Sequence, residues 1–66
     1  MSTLYEIVDA YTSDVFYGYD TLEEAKKVLA EVVKEHPESG DELAIAPTGD
    51  DGYLVGDLIM GKELTD

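Results

Sequence analysis

The chain has no cysteine, no arginine and no tryptophan, and its only histidine is His36. Without cysteine it forms no disulfide, holds no thiolate metal site and offers no thiol nucleophile. Without arginine it lacks the bidentate clamp that many phosphate-binding sites use. A catalytic triad or a structural zinc site also requires groups that are missing here. We therefore expect a non-enzymatic protein that uses neither a cofactor nor a metal ion.

Long apolar runs are also missing. No stretch approaches the roughly 20 apolar residues of a membrane-spanning helix, and the N-terminus has neither the basic nor the apolar region of a signal peptide. We expect a soluble cytoplasmic protein. The 66 residues predict a single domain, 1–66, close to the lower limit for a fold held by its core alone.

Negative charge is what the chain has in excess. Sixteen acidic residues face four lysines, and the formal net charge is -12. The excess is uneven: residues 22–38 carry five acids and three lysines, whereas residues 39–66 carry seven acids and one lysine. Such a chain neutralises phosphates poorly, so we expect it to bind neither nucleic acid nor an anionic membrane directly. Its natural partner is a basic protein.

One helix is predicted from about Leu22 to about Glu35. Thr21 and Glu24 have the spacing of a capping box, in which the two side chains cap each other's backbone amides. Pro37 and the following Ser-Gly pair predict its end. The apolar residues follow the three-and-four spacing of a single buried face. They are Leu22, Ala25, Val28, Leu29, Val32 and Val33.

Two hairpins flank this helix in the predicted order. Residues Leu4 to Tyr11 and Val15 to Tyr19 are rich in β-branched and aromatic residues and are separated by a Thr-Ser-Asp turn. Glu42 to Ala46 and Tyr53 to Met60 form the second predicted pair, joined by a glycine-containing loop and kinked at Gly56. We expect an α+β fold, a small antiparallel sheet in ββαββ order with one helix packed on one face. The other face would meet solvent or a partner.

The five tyrosines lie in or beside the predicted strands. Strand alternation places Tyr17 and Tyr19 on one face, with Phe16 and Gly18 on the other, and we expect a tyrosine pair on the open face of the sheet. Tyrosine is enriched in protein interfaces, so Tyr17 and Tyr19 are candidate partner-binding residues. Alternatively, the tyrosines simply pack around the sheet with their hydroxyl groups outward.

The acidic residues are the second set of candidates. Carboxylates fixed on neighbouring strands and turns stand roughly 5 to 7 Å apart, which is comparable to the spacing of charges along a nucleic-acid backbone. A groove built for phosphates would attract them. The alternative is a surface that only keeps the protein in solution. The candidate phosphate-like groups are Glu6, Asp9, Asp14, Asp50, Asp51 and Asp57.

In size, acidity, absence of cysteine and mixed architecture, the chain resembles small phage-encoded inhibitors that imitate DNA, particularly anti-CRISPR proteins. The resemblance implies an inhibitor that occupies the basic DNA-binding channel of a CRISPR effector in the bacterial host cytoplasm. Separately, residues 19–25 (YDTLEEA) are similar to the strand-to-helix passage of HicB-type antitoxins.

Two functional hypotheses follow. The first is a non-enzymatic DNA mimic that occupies the nucleic-acid-binding site of a basic protein. The alternative is an antitoxin-like or accessory module that binds a protein through a tyrosine-rich sheet face. Mimicry requires competition with DNA and strong weakening by salt, whereas a tyrosine-centred interface tolerates salt. Either protein could be a monomer or a small homo-oligomer.

Overall fold

The computed structural model describes residues 3–64 and has the expected α+β architecture. Each pair of neighbouring strands is antiparallel, and their order across the sheet is β2-β1-β3-β4. The predicted ββαββ order is confirmed. The elements are β1 (Leu4–Asp9), β2 (Val15–Tyr19), α1 (Leu22–Glu35), β3 (Leu43–Thr48) and β4 (Ile59–Met60). Two short 3-10 helices, Pro37–Asp41 and Gly61–Leu64, complete the fold.

The core lies between α1 and one face of the sheet. Strands β2 and β3 both pair antiparallel with β1, so they run parallel to each other, and α1 connects them across β1. The predicted apolar helix face points into this core. Its centre is Leu29, which is completely buried, as is Ile45 of β3. The main cluster comprises Ile7, Ala25, Leu29, Val33 and Ile45.

The helix boundaries agree with the prediction. Thr21 is the N-cap residue, and its hydroxyl accepts a hydrogen bond from the backbone N–H of Glu24 at 3.2 Å. This is one half of the predicted capping box. At the other end, His36 is the C-cap residue, and Pro37 begins a 3-10 helix. Local capping chemistry therefore sets both ends of α1.

We expect Thr21→Ala to lower the free energy of unfolding by about 1 kcal/mol, because the substitution removes the acceptor for the Glu24 amide. Thr21→Ser keeps that acceptor and should remain within about 0.5 kcal/mol of the original protein. Urea denaturation of the three proteins measures the difference. Equal losses for alanine and serine would show that the hydroxyl does not stabilise the helix.

The first hairpin ends earlier than the sequence predicts and contains a bulge. Strand β1 stops at Asp9, not Tyr11, because the chain turns there. On β2 the register shifts between the pairs Ile7 with Tyr17 and Val8 with Val15, so Phe16 is an extra residue. A β-bulge of this kind bends the strand and re-aims its side chains.

The second hairpin differs most from the prediction. Strand β3 continues through Pro47 to Thr48, because β1 pairs with it along its whole length. The predicted partner strand, Tyr53 to Met60, is wrong: only Ile59–Met60 forms a strand, with an isolated bridge between Leu54 and Thr48. Between the Ile45–Ile59 pair and the Thr48–Leu54 bridge, the register of the two segments shifts by two residues. Pro47 has no N–H to donate to the ladder, and this explains the break opposite it.

A second, smaller cluster lies on the face of the sheet away from the helix. Val8, Ala44 and Ala46 are buried there, with Met60 packed against them. The prediction that this face meets only solvent or a partner is therefore only partly correct, since some of it is covered by the chain's own residues. A groove remains on this face, and it is described below.

The C-terminal 3-10 helix packs against the C-terminal end of α1. Gly61 is buried, and a Cβ atom at this position would lie 2.8 Å from Cγ2 of Val33. The absence of a side chain at Gly61 thus permits the close approach. Lys62 follows, and its Nζ lies 3.4 Å from Oδ1 of Asp41. This places Lys62 on the helix side of the molecule.

Candidate interaction surfaces

The turn between β1 and β2 holds two of the candidate carboxylates. Oδ1 of Asp9 accepts hydrogen bonds from the backbone N–H groups of Tyr11 at 2.8 Å and Thr12 at 3.1 Å. The hydroxyl of Thr12 in turn donates to Oδ2 of Asp14 at 3.0 Å. Ser13 has a φ of 67°, in the left-handed region that tight turns require. Asp9 therefore fixes the turn and also contributes negative charge.

We expect Asp9→Ala to lower the free energy of unfolding by about 1–2 kcal/mol, because two backbone amides lose their acceptor. The matched control is Asp57→Ala, which removes an exposed carboxylate from the loop before β4 and should change stability by less than about 0.5 kcal/mol. Thermal unfolding of both variants makes the comparison. Similar losses would mean that Asp9 contributes only its charge.

Glu6 lies at the centre of β1 on the face away from the helix. Its neighbours across the sheet are Gly18 on β2 and Ala46 on β3, which are both small. The nearest side-chain atom to a Cβ built at Gly18 would be Cγ of Glu6, at 3.7 Å. The small neighbours leave room for the carboxylate in the middle of a sheet face, where a side chain is positioned more firmly than on a loop.

The loop after β3 carries the other three candidates. Asp50, Asp51 and Asp57 are exposed. Oδ1 of Asp51 accepts a hydrogen bond from the backbone N–H of Tyr53 at 3.1 Å, and Gly52 has a φ of 82°. This hydrogen bond and the left-handed glycine give the turn a defined shape, so Asp51 is held in place by local structure.

One groove lies on the face of the sheet away from the helix. The groove has a volume of about 360 Å³, and Glu6 and Asp9 line it. The other four candidates lie near lining residues in the chain. Asp14 precedes Val15, Asp57 precedes Leu58, and Asp50 and Asp51 precede Gly52. We call the six carboxylates and the groove the acidic face. The structure thus places Glu6 and Asp9 at this groove, and the other four candidates near its lining residues along the chain.

The lysines lie elsewhere. Lys26, Lys27 and Lys34 are exposed residues of α1, and Lys62 lies against the C-terminal end of that helix. The helix and the acidic face are on opposite sides of the sheet. Positive charge is therefore segregated from the acidic face, and this segregation was only partly visible as uneven charge along the sequence.

The tyrosine pair is not on the open face. Tyr17 lies opposite Ile7 in the ladder, and cross-strand partners share a face, so both side chains are on the helix side. The rings of Tyr17 and Tyr19 have centroids 4.8 Å apart and are tilted by 51°. Tyr19 packs against the main core, whereas Tyr17 is 62% exposed. The prediction that this pair stands on the open face of the sheet is wrong.

A second groove, of about 250 Å³, runs between β2 and α1. We call it the tyrosine groove. Sequence alternation placed Phe16 on the opposite face from Tyr17, but Phe16 lines this groove too because of the bulge. No feature of the sequence marks the bulge, so Phe16 was missed as a candidate. The lining residues are Ile7, Phe16, Tyr17, Tyr19, Val28, Val32 and Leu43.

Within residues 3–64, no three histidine, aspartate or glutamate side chains come close enough together to hold a metal ion. Over the same part of the chain, no helix has the length and apolar character needed to cross a membrane. His36 is exposed at the end of α1, with Nδ1 at 3.6 Å from Oε1 of Glu38. Comparison with protein-family models, curated proteins and solved structures finds no match to this chain.

Proposed function

We propose that this chain is a non-enzymatic inhibitor that acts in the cytoplasm and occupies the nucleic-acid-binding site of a basic protein. The carboxylates of the acidic face stand in for backbone phosphates. The observation that carries the proposal is the segregation of charge. Glu6 and Asp9 line one groove, the other four candidates lie near its lining residues along the chain, and all four lysines lie on the helix side. A CRISPR effector is the target class implied by the resemblance to anti-CRISPR proteins.

The arrangement suits a mimic for two physical reasons. Asp9 and Asp51 are tied to backbone amides and Glu6 stands on a central strand, so less conformational entropy is lost when they bind. A surface of a single sign also accelerates encounter with a basic groove and disfavours other acidic partners. A surface that served only to keep the protein in solution would require neither the positioning nor the segregation.

The test is capture from a bacterial lysate on the immobilised protein, with elution by a salt gradient and a parallel run that contains competing double-stranded DNA. We expect a nucleic-acid-binding protein that DNA displaces and that leaves the column at moderate salt. A captured protein that remains bound in the presence of excess DNA would contradict mimicry, and so would the failure to capture any basic protein.

The second candidate function is an antitoxin-like or accessory module that binds a protein through the tyrosine groove. The observation that favours it is an open apolar groove beside two aromatic residues, Phe16 and Tyr17, that are each more than half exposed. The tyrosine groove and the acidic face lie on opposite sides of the sheet. DNA competition therefore separates the two candidates, because binding in the tyrosine groove should be indifferent to DNA.

A further inference from the structure

Strand β2 is an edge of the sheet. It pairs with β1 on one side, and no strand of the described residues pairs with its other side. Alternate backbone N–H and C=O groups of an edge strand point outward and can pair with another chain. Natural edge strands often carry a charged residue that prevents this, but Val15–Tyr19 has none. The edge is therefore chemically able to accept a further strand.

The tyrosine groove borders this edge and has an apolar floor. Val28 and Val32 contribute its helix side, and Phe16 and Tyr17 contribute its strand side. Its volume of about 250 Å³ is below the range of roughly 300–1,000 Å³ that is typical of small-molecule sites. It is better matched to side chains that project from a strand laid along β2. Alternate side chains of such a strand would enter the groove.

The rim of the groove is acidic. On a helix, residues three or four positions apart are surface neighbours, so Glu24, Glu31 and Glu35 lie beside Val28 or Val32. Asp20 stands directly after β2 and is exposed. This rim favours a partner segment that has positive charges around an apolar centre.

A second copy of the chain fits this edge poorly. If two β2 strands paired antiparallel about Tyr17, Asp14 of each copy would lie opposite Asp20 of the other. Like charges placed directly opposite each other on neighbouring strands are destabilising. Each copy also carries a net charge of -12, so the whole molecules repel each other. The charges that attract a basic segment thus oppose self-association.

We propose that β2 and the tyrosine groove bind an extended basic segment of a partner protein by strand addition, with apolar residues in the groove and lysine or arginine at the acidic rim. This proposal does not depend on the acidic face. It adds a second surface on the opposite side of the sheet, so the chain can bind a basic protein and hold one of its extended segments at the same time.

The probe is a fluorescent synthetic peptide, Lys-Lys-Thr-Val-Thr-Val-Thr-Val-Lys-Lys, whose binding to the full chain is measured by anisotropy. We expect saturable binding with a Kd below about 1 mM, the level that corresponds to about -4 kcal/mol. Methylation of alternate peptide nitrogens removes donors to β2 and should weaken binding at least about 10-fold, and so should replacement of the lysines by glutamates. Equal binding of the methylated peptide would overturn strand addition.

Two protein variants locate the site. Tyr17→Ala should weaken peptide binding at least about 5-fold, whereas Tyr53→Ala, an exposed tyrosine outside the groove, should leave it unchanged. Backbone amide NMR shifts on titration should concentrate in Val15–Tyr19 and around Val32. Shifts confined to the acidic face would overturn the proposal. A dimer of the unliganded protein formed through β2 in sedimentation would also overturn it, because the occupant would then be a second copy.

Discussion

Leu29→Ala should remove a large part of the free energy of unfolding. Leu29 is completely buried at the centre of α1, between the helix and the sheet. Truncation of a buried leucine removes its transfer free energy and leaves a cavity, at a combined loss of about 3 kcal/mol. A domain of this size has a total stability of roughly 3–10 kcal/mol. The variant is therefore expected to be marginally folded.

The matched control is Leu54→Ala, because Leu54 is 51% exposed and its bridge to Thr48 uses only backbone atoms. We expect this change to cost less than about 0.5–1 kcal/mol. Urea denaturation followed by far-ultraviolet circular dichroism compares the two variants. Equal losses would mean that the helix does not pack on the sheet as described.

Reversing two charges of the acidic face should abolish inhibition without harming the fold. Glu6→Lys places a positive charge at the centre of this face, and Asp57→Lys places a second one on its loop. Within residues 3–64, neither Glu6 nor Asp57 forms a hydrogen bond that fixes a turn. We expect binding to the captured protein to weaken about 100-fold, because two attractive contacts become repulsive. Thermal stability should stay the same or rise, since the net charge changes from -12 to -8.

The control is Glu23→Lys combined with Glu38→Lys, which changes the net charge by the same amount on the helix side. This variant should bind within about 3-fold of the original protein, because only long-range attraction is reduced. Titration calorimetry of both variants against the same partner gives the comparison. Equal weakening would show that total charge matters and that the acidic face has no special role.

The sequence predicts the helix well because the relevant interactions are local. Thr21 caps the first turn, Pro37 stops the last one, and the apolar spacing identifies the buried face, all within sixteen residues of one another. The extent of a strand depends instead on its partner. Pro47 looks like a loop residue, yet it lies in β3 because β1 pairs with it, and it also ends the pairing of β3 with β4.

The acidic face and the tyrosine groove also differ in how much of each can be predicted from the sequence. The six acidic candidates lie in turns or beside small residues, and these features are visible in the sequence. The structure places Glu6 and Asp9 at one groove and the other four near its lining residues along the chain. The position of the tyrosines requires knowledge of which face the helix covers. The extra residue at Phe16 then turns this side chain away from the face that strict alternation assigns to it. Neither the face that the helix covers nor the bulge at Phe16 can be predicted from the alternation of residues along the strand.

The most direct test of the central claim is hydrogen–deuterium exchange of the protein, alone and in complex with the partner captured from lysate. The proposed function predicts that exposed amides of residues 9–14 and 49–58, which border the acidic face, become protected in the complex and lose this protection when DNA displaces the partner. Protection confined to β2 and the adjoining surface of α1, with no change around the acidic face, would contradict DNA mimicry.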